Sequence, residues 1–138
     1  MMNTLFSITL AVCLICSYAE IINFADVGGI GEEFSEETAW KNGGLMNATL
    51  GALKSGDTLL IPDSTFYMMG GILGGDFSDV TIEINGILLF SNDTKNWPVG
   101  EDGSHVLSSI YLSNLSNVTF TSSNPTAREG GGTGGVLD

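Results

Sequence analysis

Apolar positions fall into three regimes along the chain. From Leu5 to Cys16 they form a nearly unbroken run. Between Ala39 and Leu53 they recur at helical spacing, with Ala39, Met46, Leu50 and Leu53 on one stripe. After Gly56 they alternate with polar residues at a period of two. The middle regime predicts a helix. Ser35 is placed to cap its N-terminus, Phe34 to staple against Ala39, and Glu36 and Glu37 to meet the positive end of the helix dipole. Lys54 and Gly56 supply a cationic last turn and a left-handed stop, while Gly43 and Gly44 each weaken the interior by about 1 kcal/mol. Such a helix needs a surface to pack on.

The period-two regime predicts strands over Thr58–Ile61, Phe66–Met69, Val80–Ile84, Ile87–Phe90, Val106–Leu112 and Val118–Thr121, after an opening strand at Ile21–Phe24 that runs into Gly28-Gly29. No second helical pattern separates them, which argues against a βαβ sheet. Ser78-Asp79-Val80-Thr81-Ile82 returns as Ser116-Asn117-Val118-Thr119-Phe120, an offset of 38 residues. In each copy a glycine later leads into an apolar strand, Gly86-Ile87-Leu88 in the first and Gly135-Val136-Leu137 in the second. Repetition on this scale fits a β-solenoid whose coils stack to bury their inward faces. A sandwich of short strands fits the periodicity as well.

The first regime is an address. Residues 1–19 carry no charged side chain, and Ser17 and Ala19 put small residues before a cut at Ala19–Glu20, the layout of a secretory signal peptide. The run is too short for a membrane span of about 20 residues, so no stable membrane anchor is expected. Cys13 and Cys16 fall inside the leader, leaving residues 20–138 without a disulfide framework. Sequons at Asn47, Asn92, Asn114 and Asn117 agree with export and are candidates for N-glycosylation.

Composition sharpens this. The chain has 138 residues, 16 acids against 4 bases and a formal charge of −12. All the acids and all 19 glycines follow the leader. Four scattered bases build no phosphate-binding patch, so nucleic acid is not an expected partner, nor is an anionic membrane surface.

Residues 22–29, Ile22-Asn23-Phe24-Ala25-Asp26-Val27-Gly28-Gly29, resemble the entry strand of the pectin-degrading polygalacturonases, in the pectin-lyase-like superfamily. Similar features follow in order: Glu36-Glu37-Thr38-Ala39 opening a capping helix; Gly56 to Pro62, a strand ending in proline; the aromatic turn Thr65-Phe66-Tyr67; Ile84 to Phe90 with Ser91 and Trp97-Pro98 beyond; Asn117 to Phe120; and Gly135 to Asp138. The resemblance covers about residues 21–138. It implies an all-β fold, the first coils of a right-handed parallel β-helix with an N-terminal capping α-helix. It further implies secretion, pectin or a related acidic polysaccharide as partner, and inverting hydrolysis of α-1,4-galacturonan without a cofactor.

An inverting glycosidase sets two carboxyls roughly 6.5–9.5 Å apart, one an acid and one a base. The family supplies them through Asn-x-Asp, Asp-Asp, Gly-His-Gly and Arg-x-Lys motifs. None occurs here: His105 sits in Ser-His-Val, and Arg128 precedes Glu129-Gly130. No residue of this chain is therefore expected to be catalytic, and the resemblance implies that the acids lie beyond Asp138 in a longer chain. Lys41, Lys54, Lys95 and Arg128 do not cluster into a cleft for a polyanion. The glycine run 130–135 lacks the lysine and helix of a phosphate loop. Glu101, Asp102 and His105 read as an acidic turn rather than metal ligands, and Glu32, Glu33, Glu36 and Glu37 as a solvated helix start rather than a calcium loop. Trp40 is expected to pack in the cap, and Trp97 to plug a coil corner. A non-catalytic carbohydrate-binding or surface module and a lyase of the same superfold share these first coils.

Overall fold

The computed structural model describes residues 18–124. Among these residues, eight short strands and one helix follow in order: β1 (Ile21–Asn23), α1 (Glu36–Ala52), β2 (Thr58–Ile61), β3 (Thr65–Met68), β4 (Ile72–Gly75), β5 (Thr81–Ile84), β6 (Ile87–Phe90), β7 (Ile110–Ser113) and β8 (Thr119–Thr121). They form three sheets, ordered β1-β2-β5-β8, β3-β6 and β4-β7. Every pairing between these strands is parallel. From β2 to β8 the chain visits the three sheets in turn and then repeats the cycle. The fold is thus mostly strands in parallel sheets with one helix. The step from β1 to its parallel neighbour β2 passes through α1 and is a βαβ crossover, against the sequence expectation, because the one helix lies between the first two strands of the sheet; every later return is made through the other two sheets.

Register follows the sequence closely where strands were expected. Thr81 pairs with Thr119 and Ile82 with Phe120, and Ser78 bridges Ser116. The 38-residue echo is therefore the spacing of two neighbouring strands. Thr58 pairs with Thr81 over a shorter path. The difference lies between β6 and β7, where a 3-10 turn (Thr94–Asn96) and an antiparallel bridge, Val99 to Val106, lengthen the second cycle. Val106 thus belongs to that bridge rather than to a strand running through to Leu112, and the strand begins at Ile110. The β3 strand starts one residue earlier than expected. β4 follows Gly70-Gly71 and itself ends in Gly74-Gly75, where no strand was expected. The second half of the echo, Gly135-Val136-Leu137, lies outside the described residues, as do Cys13, Cys16 and the glycine run.

Inward positions alternate with outward ones, and Phe24, Leu59, Ile61, Phe66, Met68, Ile72, Val80 and Ile82 fill the core. The α1 helix begins as expected. Ser35 caps it, its Oγ accepting from the Thr38 amide at 3.1 Å. Its buried face runs through Ala39, Asn42, Gly43, Met46 and Leu50, laid on β3 and β4. Gly43 permits that approach, since a Cβ there would stand 3.3 Å from the Met69 carbonyl. Trp40 lies off this face and is 48% exposed, so it does not pack into the cap. Phe34, expected to staple against Ala39, stays half exposed and meets Tyr67 edge-on at 6.1 Å. The helix stops at Ala52 with Leu53 as cap, leaving Lys54 beyond its last turn.

Candidate functional site

The first strands of two sheets would end in unpaired backbone beneath the helix. Two asparagines prevent this. Asn42, fully buried, accepts from the Ile30 amide at 2.9 Å and donates to the carbonyls of Ile30 and Tyr67, each at 2.9 Å. Asn47 donates to the Gly71 carbonyl at 3.1 Å and accepts from the Leu73 amide at 2.8 Å. Each carboxamide carries one donor group and one acceptor, as a neighbouring strand would, and so takes the place of one. The Ala39 carbonyl adds a third link by accepting from the Met69 amide. Mid-helix asparagine is a poor helix former; that oddity was the sequence signal for this role.

A second polar ladder runs along the corner before the four-stranded sheet. Gly56, Asp79 and Asn117 all have positive φ, as do Asp76 and Asn114 one corner away. Glycine, asparagine and aspartate tolerate that geometry best. The side chains stack: Asn117 Nδ2 donates to Asp79 Oδ1 at 2.6 Å, Asn114 Nδ2 to Asp76 Oδ1 at 3.1 Å, and Ser55 Oγ to Asp79 Oδ2 at 3.2 Å. Farther on, Asn85 Oδ1 accepts from the amides of Ser123 and Asn124, and Ser123 Oγ donates to Glu83 at 2.6 Å.

Of the four sequon asparagines, Asn92, Asn114 and Asn117 are exposed, whereas Asn47 is half-buried and committed to β4. The expected cleavage point falls just before β1. Ala19 is exposed, and the Glu20 amide donates to Asp57 Oδ1 at 3.0 Å. Trp97 lies over the glycine turn between β3 and β4; a Cβ on Gly70 would stand 2.3 Å from its ring, and its Nε1 donates to the Ser91 carbonyl at 3.1 Å. It plugs a corner.

The acids at the helix start are spent on protein donors. Glu32 accepts from the Thr65 amide at 2.6 Å and from Ser64, Glu33 from Thr38, and Glu36 from Ser91 and Tyr67, while Glu37 pairs with Lys41 at 2.7 Å. The Thr65 amide and Ser64 hydroxyl hold Glu32 below its ordinary pKa. Ser123 and Asn85 do the same for Glu83, and Ser104 for Asp102. Asp102 lies 3.4 Å from His105 on an exposed turn. A general acid needs a carboxyl raised in pKa; these are driven the other way and are acceptors at neutral pH. Among the described residues no three histidine, cysteine or carboxylate side chains converge on a metal position, and no helix is long and apolar enough to cross a membrane.

Within the core, between the three sheets, lies a cavity of about 90 Å³ lined by apolar side chains, among them Met46, Leu59, Met68, Ile82, Leu112 and Phe120. It offers nothing for a polar ligand to bond. Compared with protein families, with curated proteins and with solved structures, the chain matches none.

Proposed function

We propose that the chain forms the N-terminal cap and first coils of a right-handed parallel β-helix belonging to a secreted polygalacturonase-like glycoside hydrolase that acts on pectin. The observation that carries this reading is the cyclic visiting of three parallel sheets beneath one closing helix, in a chain whose motifs follow the family's order from Ile22 onward. Each cycle adds one strand to every sheet it crosses, the arrangement that stacked coils require. In this reading the chemistry is inverting hydrolysis of α-1,4-galacturonan by carboxyls on later coils. In this reading the segment supplies support rather than reacting groups, since the carboxylates of the helix start and of the corner ladders are engaged with protein donors.

A second reading, a non-catalytic secreted β-solenoid that binds carbohydrate or a cell surface, draws support from those same engaged acids. The net charge of −12 opposes direct gripping of an acidic polymer by this segment alone.

The test is release of reducing ends from polygalacturonate. The 138-residue chain is expected to release none, and a chain extended through the in-frame downstream coding sequence is expected to turn over. Turnover by the short chain would overturn the assignment of the acids to later coils. A stop codon directly after Asp138 would overturn the hydrolase reading in favour of the module.

A further inference from the structure

Asp57 is 5% exposed and sits between α1 and β2. Its Oδ2 accepts from the Lys54 amide at 2.8 Å, closing the turn after the helix, and its Oδ1 accepts from the Glu20 amide at 3.0 Å. The Glu20 carbonyl in turn accepts from the Thr58 amide at 2.8 Å, so residue 20 is fixed in register at the head of β1. The ion pairs of the described residues are Lys41 with Glu37 and His105 with Asp102. Among the described residues, the Asp57 carboxyl is therefore held by two neutral N–H donors and paired with no cation. Burial of a carboxylate in that state is costly, and a positive partner on the free side of Oδ1 would relieve it.

We propose that Asp57 is the receptor for an α-ammonium created by cleavage between Ala19 and Glu20. The proposal rests on the leader reading and adds to it a destination for the new terminus. Hydrolysis adds one water across the Ala19–Glu20 amide: the carbonyl carbon takes the oxygen and leaves as the Ala19 carboxylate, and the nitrogen departs with the protons as the Glu20 ammonium. The nitrogen already lies within hydrogen-bond distance of Oδ1, so cleavage converts a neutral contact into a charge-assisted one without moving the strand. Ala19 rests against Gly56, where a Cβ would meet it at 3.4 Å, and its removal uncovers that turn. The other ionisable groups near this position are the side chain of Glu20, the exposed Lys54 and, across Gly56, Asp79, whose carboxylate is held by Ser55 and Asn117. Tyr18 leaves with the leader. Pinning the terminus anchors β1, the edge strand of the four-stranded sheet, as soon as the leader is gone.

The test secretes the whole chain from eukaryotic cells, reads the N-terminus by sequencing and intact mass, and follows acylation of the α-amine by trace acetic anhydride against pH. The expected product begins at Glu20. Its amine is expected to titrate above the ordinary α-amino range of about 7.7–8.0, holding its proton about tenfold more tightly than in Asp57→Asn. Should Asp57→Asn fail to fold, a glycine inserted between Ala19 and Glu20 supplies the comparison, since it displaces the ammonium from Oδ1 and leaves Asp57 intact. An uncleaved product, or one starting elsewhere, overturns the leader reading. A product starting at Glu20 whose amine titrates like that of the glycine-inserted form overturns the receptor while the leader reading stands.

Discussion

The two ends of the sheets are built from similar short parallel strands and finished differently. Under α1 the first strands of two sheets find asparagine carboxamides and a helix carbonyl in place of neighbours, and Phe24, Phe66 and Met68 are sealed. At the far end Ile84, Leu88, Phe90, Ile110 and Leu112 are only partly covered, and Phe120 is 45% exposed. A strand at a sheet edge depends on a neighbour both for its inward side chain and for its backbone. The helix shows what a finished end requires, an apolar stripe for the core and polar groups aimed at the backbone.

That contrast can be broken by mutation. Phe66→Ala is expected to cost about 3–5 kcal/mol in chemical denaturation, and Phe120→Ala about 1 kcal/mol or less. Equal costs would mean that the far end is as well packed as the capped one. Asn42→Ala strips three partly buried backbone groups of their partners and should cost about 3 kcal/mol, whereas Asn92→Ala on its exposed loop should be neutral. Within the cap, Gly44→Ala meets open space and should raise stability by about 1 kcal/mol; Gly43→Ala, tight against Met69, should not. Thermal midpoints of the two variants decide this.

The smallest expected effect is in acid. Glu32 fastens the loop before the cap to β3, and Glu83 fastens the turn after β5 to Ser123 at the open end. Both have their folded pKa lowered, so each contributes stability that is present above the ordinary glutamate value of 4.5 and fades as pH falls below it toward the folded value. Glu32→Gln and Glu83→Gln should each flatten the decline in thermal midpoint below that pH. If Glu83→Gln alone leaves the acid limb unchanged, the open-end turn contributes nothing to the fold in solution.

Much of the local structure was legible from residues alone. Ser35, with Glu36 and Glu37 after it, marked the helix start, and the strands at Thr58–Ile61 and Ile87–Phe90 lie where alternation put them. The 38-residue echo anticipated the register of β5 with β8. What stayed hidden depended on contacts distant in sequence. The β4 strand is half glycine and carries little alternation; it is a strand because β7 pairs with it and α1 lies against it. Val106 has the same local pattern as Ile110, yet Val99 captures it. Asn42 and Asn47 look like flaws in a helix until the strand edges they serve are in place. Among the candidate site residues, Glu36 and Glu37 do open the helix, whereas Glu32 and Glu33 precede it and, with Glu36, accept from protein donors instead of being simply solvated; the burial of Asp57 and its grip on Glu20 had no sequence signature at all.

The lengthened path between β6 and β7 carries one more consequence. Neighbouring strands of the four-stranded sheet stand one interstrand spacing apart, about 4.8 Å, whether the chain reaches the next strand directly, as from Thr58 to Thr81, or by the detour through Trp97 and His105, as from Thr81 to Thr119. The stack therefore works as a ruler whose gradations are independent of how much thread is wound between them. Sequence can be added at such a corner without shifting anything above or below it along the axis, so this flank of the protein is free to grow new surface while the rest keeps its measure.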